Sequence, residues 1–394
     1  MVTIQSLEEM LDNFQKGLLE EAQDKLENLK EKQILLYGAG NIGKRLFKNF
    51  QEVGIEVKCF IDRNMKIDSS KYSVPVYQPE DDSLIKYKQN GYLILSALFP
   101  LNLCSEIRQQ LLNIGFKNIF ALHEVNLSTI NNGAFYENLF DGTYNRVDIT
   151  GRDKAKIREV FTWLEDSRDK ELYVDYIKAH LTMDFTRLKK PYDISLQYLA
   201  HDIPWKIDYS NFIDCGGFDG DTIRSFVNNG IVMKNVAVFE PQNDLCQKIS
   251  RYFRENVGKF RSATVFPCGV HSQTEKFRFA VSSDAPSASK IDENGNDIIQ
   301  CVSIDDVLQG FNPTFIKMDI EGAEVGALKG AKDTIIKNHP YMAICVYHSL
   351  SDIWEIPSLI KSFYDGYRFY LRSYNYMGLE TVLYAFPEDK QAGR

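Results

Sequence analysis

Three apolar runs in the second half of the chain end in a carboxylate, and a fourth ends in a histidine. Phe212 and Ile213 lead into Asp214, VAVF into Glu240, FIKM into Asp319, and YMAICVY into His348. Glu321 and Glu324 follow closely on Asp319. Such groups bind hydroxyls, move protons or hold cations. In an open parallel sheet the carboxyl ends of the strands line the ligand crevice, so these residues are expected on one rim.

The segment after Asp214 runs Cys215, Gly216, Gly217, Phe218, Asp219, Gly220, Asp221 and Thr222 into the helix-like TIRSFVNNG. That is a strand, a glycine turn and a helix, with Glu240 where the second strand of a doubly wound unit holds a ribose. A pyrophosphate at a helix N-terminus calls for bare amides, whereas Asp219 and Asp221 would repel it and welcome a cation. S-adenosylmethionine is the common nucleoside cofactor with a positive centre. The expected cofactor-binding residues are therefore Asp214, Gly216, Gly217, Phe218, Asp219, Gly220, Asp221, Thr222, Glu240, Pro241, Asp319 and Cys268, which ends the strand-like TVFPC.

A second glycine loop stands earlier in the chain. In QILLYGAGNIGKRLF, Gly38, Gly40 and Gly43 have GxGxxG spacing, with Asn41 inside the loop and Asp62 closing the next apolar run, VKCFID. Lys44 and Arg45 follow at once and suit an anion, so this loop is expected to hold the phosphates of a nucleotide or nucleotide sugar. The bland alternative is that its glycines only allow close strand-to-helix packing.

These motifs divide the chain into an N-terminal helix (1–32), a small Rossmann-like α/β unit (33–124), a helical bridge (125–209) and a larger α/β unit with a doubly wound sheet (210–394). In the first helix Ile4, Leu7, Leu11, Phe14 and Leu18 recur at helical spacing. This stripe offers a homodimer seam but does not sustain the three or four heptads of a coiled coil, so packing on its own domain is expected. The aromatic residues of the bridge, Tyr173, Tyr176, Phe185, Tyr192, Tyr198 and Trp205, read as core between domains.

Composition narrows the partners. The 394 residues carry 46 basic and 54 acidic side chains, a net charge of −8 that argues against binding nucleic acid or an anionic membrane. No apolar run reaches the roughly 20 residues of a membrane span, and no signal-like pattern opens the chain, so the cytoplasm is expected. The seven cysteines are scattered without a CxxC pair and read as buried free thiols.

Residues 211–386 resemble the FkbM family of S-adenosylmethionine-dependent methyltransferases, through FIDCGGFDGDT, VFEP, SIDDVL, IKMDIEGAEVGALKGA and the pair Tyr347 and His348. The closing segments are similar to the branch found in bacterial surface-glycan gene clusters, in which a histidine often stands where this chain has Ser373. Residues 33–124 resemble the nucleotide-sugar-binding domain of bacterial sugar acyltransferases, through GAGNIG, FID and VPVYQPED. The first resemblance implies O-methylation of a sugar or nucleotide-linked sugar. Methyl transfer to an alcohol needs a base near the methyl group. His348 is the candidate by type, with Asp319 orienting it or taking the proton itself, and Glu321 binding acceptor hydroxyls. Lys317 is expected to face away or pair with an acid. No dense ligand motif is present, so no metal is assigned, although Asp319, Glu321 and His348 are groups that could clamp a diol through an ion. The alternatives are an NAD-dependent sugar-nucleotide oxidoreductase or epimerase using the Gly38 loop, and a non-catalytic sugar-nucleotide-binding protein. No YxxxK-like pair follows that loop.

Overall fold

The computed structural model describes residues 2–13, 28–64, 72–96, 101–125, 127, 149–188, 191–199, 201–282 and 289–390. Strands β1 (Ile34–Tyr37), β2 (Val57–Ile61), β3 (Val76–Tyr77), β4 (Tyr92–Leu95) and β5 (Asn118–Ala121) form a sheet in the order β3-β2-β1-β4-β5. All of its pairings are parallel. Every residue of β1 is buried, as an unbroken apolar run requires when helices cover both faces.

The larger unit contains β6 (Asn211–Cys215), β7 (Asn235–Phe239), β8 (Ser262–Phe266), β9 (Gly269–Val270), β10 (Glu275–Ala280), β11 (Lys290–Ile291), β12 (Asp297–Val302), β13 (Phe315–Met318), β14 (Tyr341–Cys345), β15 (Tyr367–Ser373) and β16 (Thr381–Pro387). Seven of them form a sheet in the order β15-β16-β14-β13-β6-β7-β8, with β9 to β12 in a separate small sheet. Strands β6, β7, β8, β13 and β14 are parallel, and β16 runs against both its neighbours. The chain steps outward from β6 to β8, then outward the other way from β13. The order therefore reverses between β6 and β13, and the crevice of a doubly wound sheet opens at such a reversal.

The N-terminal helix is described from Ile4 to Asn13, while Phe14, Leu18, Ala22 and Leu26 lie outside the described residues. Its buried Leu7 and Leu11 pack within the chain, against the larger unit rather than the first α/β unit. They join Ile157, Val160 and Phe161 of helix Gly151–Trp163 in the core beneath the seven-stranded sheet. Lys154 meets Asp12 at 2.7 Å and Arg158 meets Glu8 at 3.0 Å, but exposed pairs contribute little, and apolar burial decides the docking. Of the bridge aromatics, Phe185 and Tyr198 lie in the cluster shared by both sheets, whereas Tyr173 and Tyr176 lie in the core beneath the seven-stranded sheet. Tyr198, Leu199 and Tyr209 lie in one apolar cluster with Leu36 and Ile94 of the first sheet and Phe212, Val236 and Phe315 of the second. The described cysteines are free, and all but Cys104 are buried.

Candidate active site

The glycine loop after β6 is shaped by what lies behind it. Gly216 has φ 81°, and a Cβ there would stand 1.9 Å from the Asp319 carbonyl oxygen; one on Gly217 would stand 2.2 Å from Val238 Cγ1. Only glycine allows that approach. The amides of Gly216 and Gly217 both donate to the Phe239 carbonyl, at 3.0 and 3.1 Å, which ties the loop to the end of β7. There Glu240 is buried and accepts from Phe218 N (3.0 Å) and Gln242 N (2.8 Å), one amide on each oxygen. Burial pushes its carboxyl up to about 7 against the pull of these amides. A carboxylate oxygen can accept more than one hydrogen bond, so both oxygens keep acceptor capacity. They border a cleft whose other walls include Pro241, Val270, Phe279, Ile291 and Ile299. An apolar slot with a fixed carboxylate at one end suits a nucleoside.

Next to this slot the strand-end charges converge. Lys317 on β13 does pair with an acid: its ammonium lies 3.1 Å from Asp214 Oδ1, donates to the Gly216 carbonyl at 2.6 Å, and stands over the Tyr198 ring. Burial raises Asp214 to about 6 despite this cation. Asp319 accepts from Tyr198 Oη at 2.9 Å and from Tyr347 Oη at 3.3 Å. Burial pushes its carboxyl up, but Lys317, His348 and the Tyr198 hydroxyl together outweigh that and hold it below the ordinary range. His348 is enclosed by acids. Its Nδ1 lies 3.1 Å from Glu324 Oε1, and its Nε2 lies 3.5 Å from both Asp319 Oδ1 and Glu321 Oε2. Burial alone would favour a neutral ring; Glu324, Glu321 and Asp319 reverse this and raise it to about 10. Glu324 Oε1 also accepts from Ile320 N at 2.9 Å. Glu321 adopts φ 56°, and burial raises it to about 8.

The structure places several of the sequence-based assignments differently. His348 is not among the residues lining the clefts; Asp319 and Glu321 are. Enclosed by acids that raise it to about 10, it stands as their counter-charge, while the carboxylates of Asp319 and Glu321 face the clefts. Asp319, Glu324 and His348 place ligand atoms within 4.8 Å of one another, so the grouping that could hold a cation has Glu324 where the sequence reading had Glu321 beside Asp319 and His348. Asp219 does not contribute to an acidic rim, because Arg224 in the following helix pairs with its carboxylate and donates to its carbonyl at 2.7 Å. Cys268 packs into the core, and its neighbours Gly269 and Val270 line the slot instead. Asp221 and Thr222 do face a cleft, and Gly220, at φ 91°, caps their helix.

The first glycine loop repeats part of this architecture. Asp62 accepts from Ala39 N and Asn64 N, each at 2.7 Å, as Glu240 accepts from Phe218 N and Gln242 N. Gly38 and Gly43 are demanded by packing: a Cβ on Gly38 would meet Ser96 Oγ at 2.5 Å, and one on Gly43 would meet the Gly38 carbonyl at 1.9 Å. Gly40 caps helix Asn41–Glu52, and a Cβ there would meet nothing.

A second cleft shares Gly216, Phe218, Asp319 and Glu321 with the first. Gln197, Tyr198, Tyr347, Asn375 and Glu380 complete its walls, and none of them was assigned to the site from sequence. Tyr198 was noted as core, and Tyr347 as part of the motif that carries the resemblance. The others sit in turns or at a strand exit without a local motif, so nothing in a single sequence marks them.

The sequence model of the methyltransferase FkbM domain matches residues 214–377. No curated protein matches the chain. The crystal structure of methyltransferase FkbM from Methylobacillus flagellatus KT is similar, with a TM-score of 0.63 and 20% identity over 97% of this chain and 98% of that one. At that identity the likeness is one of fold. The domain match spans Asp214, Glu240, Asp319 and His348: residues 214–377 are similar in sequence to the methyltransferase FkbM domain, and the chain is a methyltransferase.

Proposed function

We propose that the chain transfers a methyl group from S-adenosylmethionine to a hydroxyl of a sugar or nucleotide-linked sugar. The observation that carries this reading is the pair of clefts meeting at Gly216, Phe218, Asp319 and Glu321: one is an apolar slot bordered by the Glu240 carboxylate, the other is lined largely by polar side chains. The cofactor supplies an electrophilic methyl group on a charged sulfur. Glu240 is the acceptor for ribose hydroxyls, and Asp214, Asp221 and Asp319 give the junction the negative potential a cation needs. Asp319, held by two tyrosine hydroxyls and kept ionised, orients the incoming hydroxyl. Glu321 takes its proton. A base poised near the working pH is the effective one, and Glu321 at about 8 meets that condition while His348 behind it stays charged. A role in surface-glycan synthesis rests on the resemblance of the closing segments to that branch of the family.

The test is calorimetric. The Glu240 carboxylate is the charged partner of the ribose, a contact of about 1.5–3 kcal/mol, so Glu240→Ala should weaken S-adenosylhomocysteine binding at least about tenfold. Wild-type affinity in that variant would sink the assignment of the slot.

A further inference from the structure

The far wall of the second cleft comes from outside the matched domain. Gln197 and Tyr198 precede it and Glu380 follows it, yet they converge on the same cavity. Gln197 Nε2 donates to Glu380 Oε2 at 2.8 Å, and Tyr198 Oη donates to Asp319 at 2.9 Å. Tyr198 (φ 66°) and Glu380 (φ 54°) both adopt the left-handed backbone that non-glycine residues avoid. Such conformations persist only where the surroundings impose them, and they cluster at ligand sites. Here the surroundings do impose them. Tyr198 N donates to Tyr384 Oη at 3.0 Å, its carbonyl accepts from Tyr209 Oη at 3.2 Å, and the Glu380 carbonyl accepts from Tyr374 N at 3.1 Å. Ser373, where the related branch often has histidine, donates to the carbonyls of Asn375 and Leu379 and so braces the turn that carries Glu380.

The charge of the cavity selects its occupant. Asp221, Asp319, Glu321 and Glu380 line it, and among the described lining residues the one cation is Lys317, already engaged by Asp214 and the Gly216 carbonyl. An anionic group would meet the ionised Asp319 and the acceptor oxygens of Glu321 and Glu380, whereas a molecule rich in hydroxyl donors would satisfy them. We propose that Gln197, Tyr198 and Glu380 form the acceptor subsite, that it takes a neutral polyhydroxylated ring, and that Glu380 accepts hydrogen bonds from hydroxyls beside the reacting one. This rests on the methyl-transfer reading above. A phosphate linked to the acceptor would then stay outside this cavity.

The experiment uses the full chain, S-adenosylmethionine and a panel of methyl glycosides alongside the corresponding sugar phosphates, with S-adenosylhomocysteine affinity measured in every variant. Wild type should methylate neutral glycosides with kcat/KM at least about tenfold above the phosphates, and Glu380→Gln should raise KM for the glycoside about tenfold while S-adenosylhomocysteine affinity stays within about twofold. Glu380→Lys should narrow or reverse the preference for neutral acceptors. Preference for the phosphates, an unchanged KM in Glu380→Gln, or no transfer to any glycoside would overturn the proposal. Failure of wild type to bind S-adenosylhomocysteine would instead remove the cofactor reading beneath it. If Glu380→Lys does not fold, Gln197→Ala, which frees Glu380 Oε2, provides the second variant and should also raise KM without changing cofactor affinity.

Discussion

At the scale of the residue, the cluster at the junction is an arrangement of charge awaiting a cation. His348 is the fixed positive centre, Asp319 stays ionised, and Glu321 holds a proton at neutral pH because burial penalises its charge more than His348 relieves it. A sulfonium entering beside Glu321 should therefore expel that proton and ready the carboxylate as a base. The consequence is measurable without an acceptor. Calorimetry at pH 7 in buffers of different ionisation enthalpy should show S-adenosylmethionine releasing up to about one proton more than S-adenosylhomocysteine, whose sulfur is neutral. Glu321→Gln should abolish the difference, whereas Glu380→Gln should preserve it; equal release by the two ligands in wild type would remove Glu321 from the role of base. Much of this cluster was legible in the sequence, because an acid or histidine closing an apolar run is a local pattern and a parallel sheet brings such ends together. The order of the groups was not legible. Whether the histidine or a carboxylate faces the cleft depends on side-chain positions after Glu321 and Gly322 turn through positive φ, and no spacing reveals that.

At the scale of the element, the two glycine loops look alike in sequence and use their glycines for the same packing. Strand, turn and helix were foreseen for both, since apolar runs, glycines and helical periodicity are short-range signals. Asp219 was misread because its partner, Arg224, lies within the helix that follows, where a pairing depends on how the loop enters the helix. Gln197, Tyr198 and Glu380 were missed because they meet only when segments far apart in the chain fold together. The glycine assignments can be tested by substitution. Gly216→Ala places a Cβ against the Asp319 carbonyl at positive φ, and should cost about 2 kcal/mol or more, with a lowered melting temperature. Gly40→Ala meets open space, without positive φ, and should stay within about 0.5 kcal/mol. Equal costs at the two positions would mean that close backbone approach is not what calls for glycine at Gly216.

At the scale of the whole molecule, a sheet crevice built from buried acids makes stability depend on pH in an uncommon direction. Asp214 is raised to about 6, Glu240 and Glu380 to about 7, and Glu321 to about 8, each first by burial. A carboxyl whose folded value lies above its unfolded one binds its proton more tightly when folded, so its contribution to stability is full below the unfolded value and fades as pH rises through the folded one. His348, raised to about 10, has the same sign, and its contribution persists through neutrality. Carboxyls such as Asp153 and Glu124 are lowered by their hydrogen bonds and ion pairs, so their contribution is lost on acidification and sets the acid limb. The ligand-free chain should accordingly melt highest between about pH 5 and 6 and lose about 5 °C or more by pH 8.5, since several buried acids ionise across that interval. The fall belongs to the cavity rather than to the surface, so a bound cation should oppose it. Saturating S-adenosylmethionine should flatten the decline more than saturating S-adenosylhomocysteine, because the sulfonium compensates carboxylates that otherwise face one another. A melting temperature that is flat or rising from pH 6 to 8, or one whose slope the two ligands change equally, would show that the raised acids are not what the cofactor's charge meets.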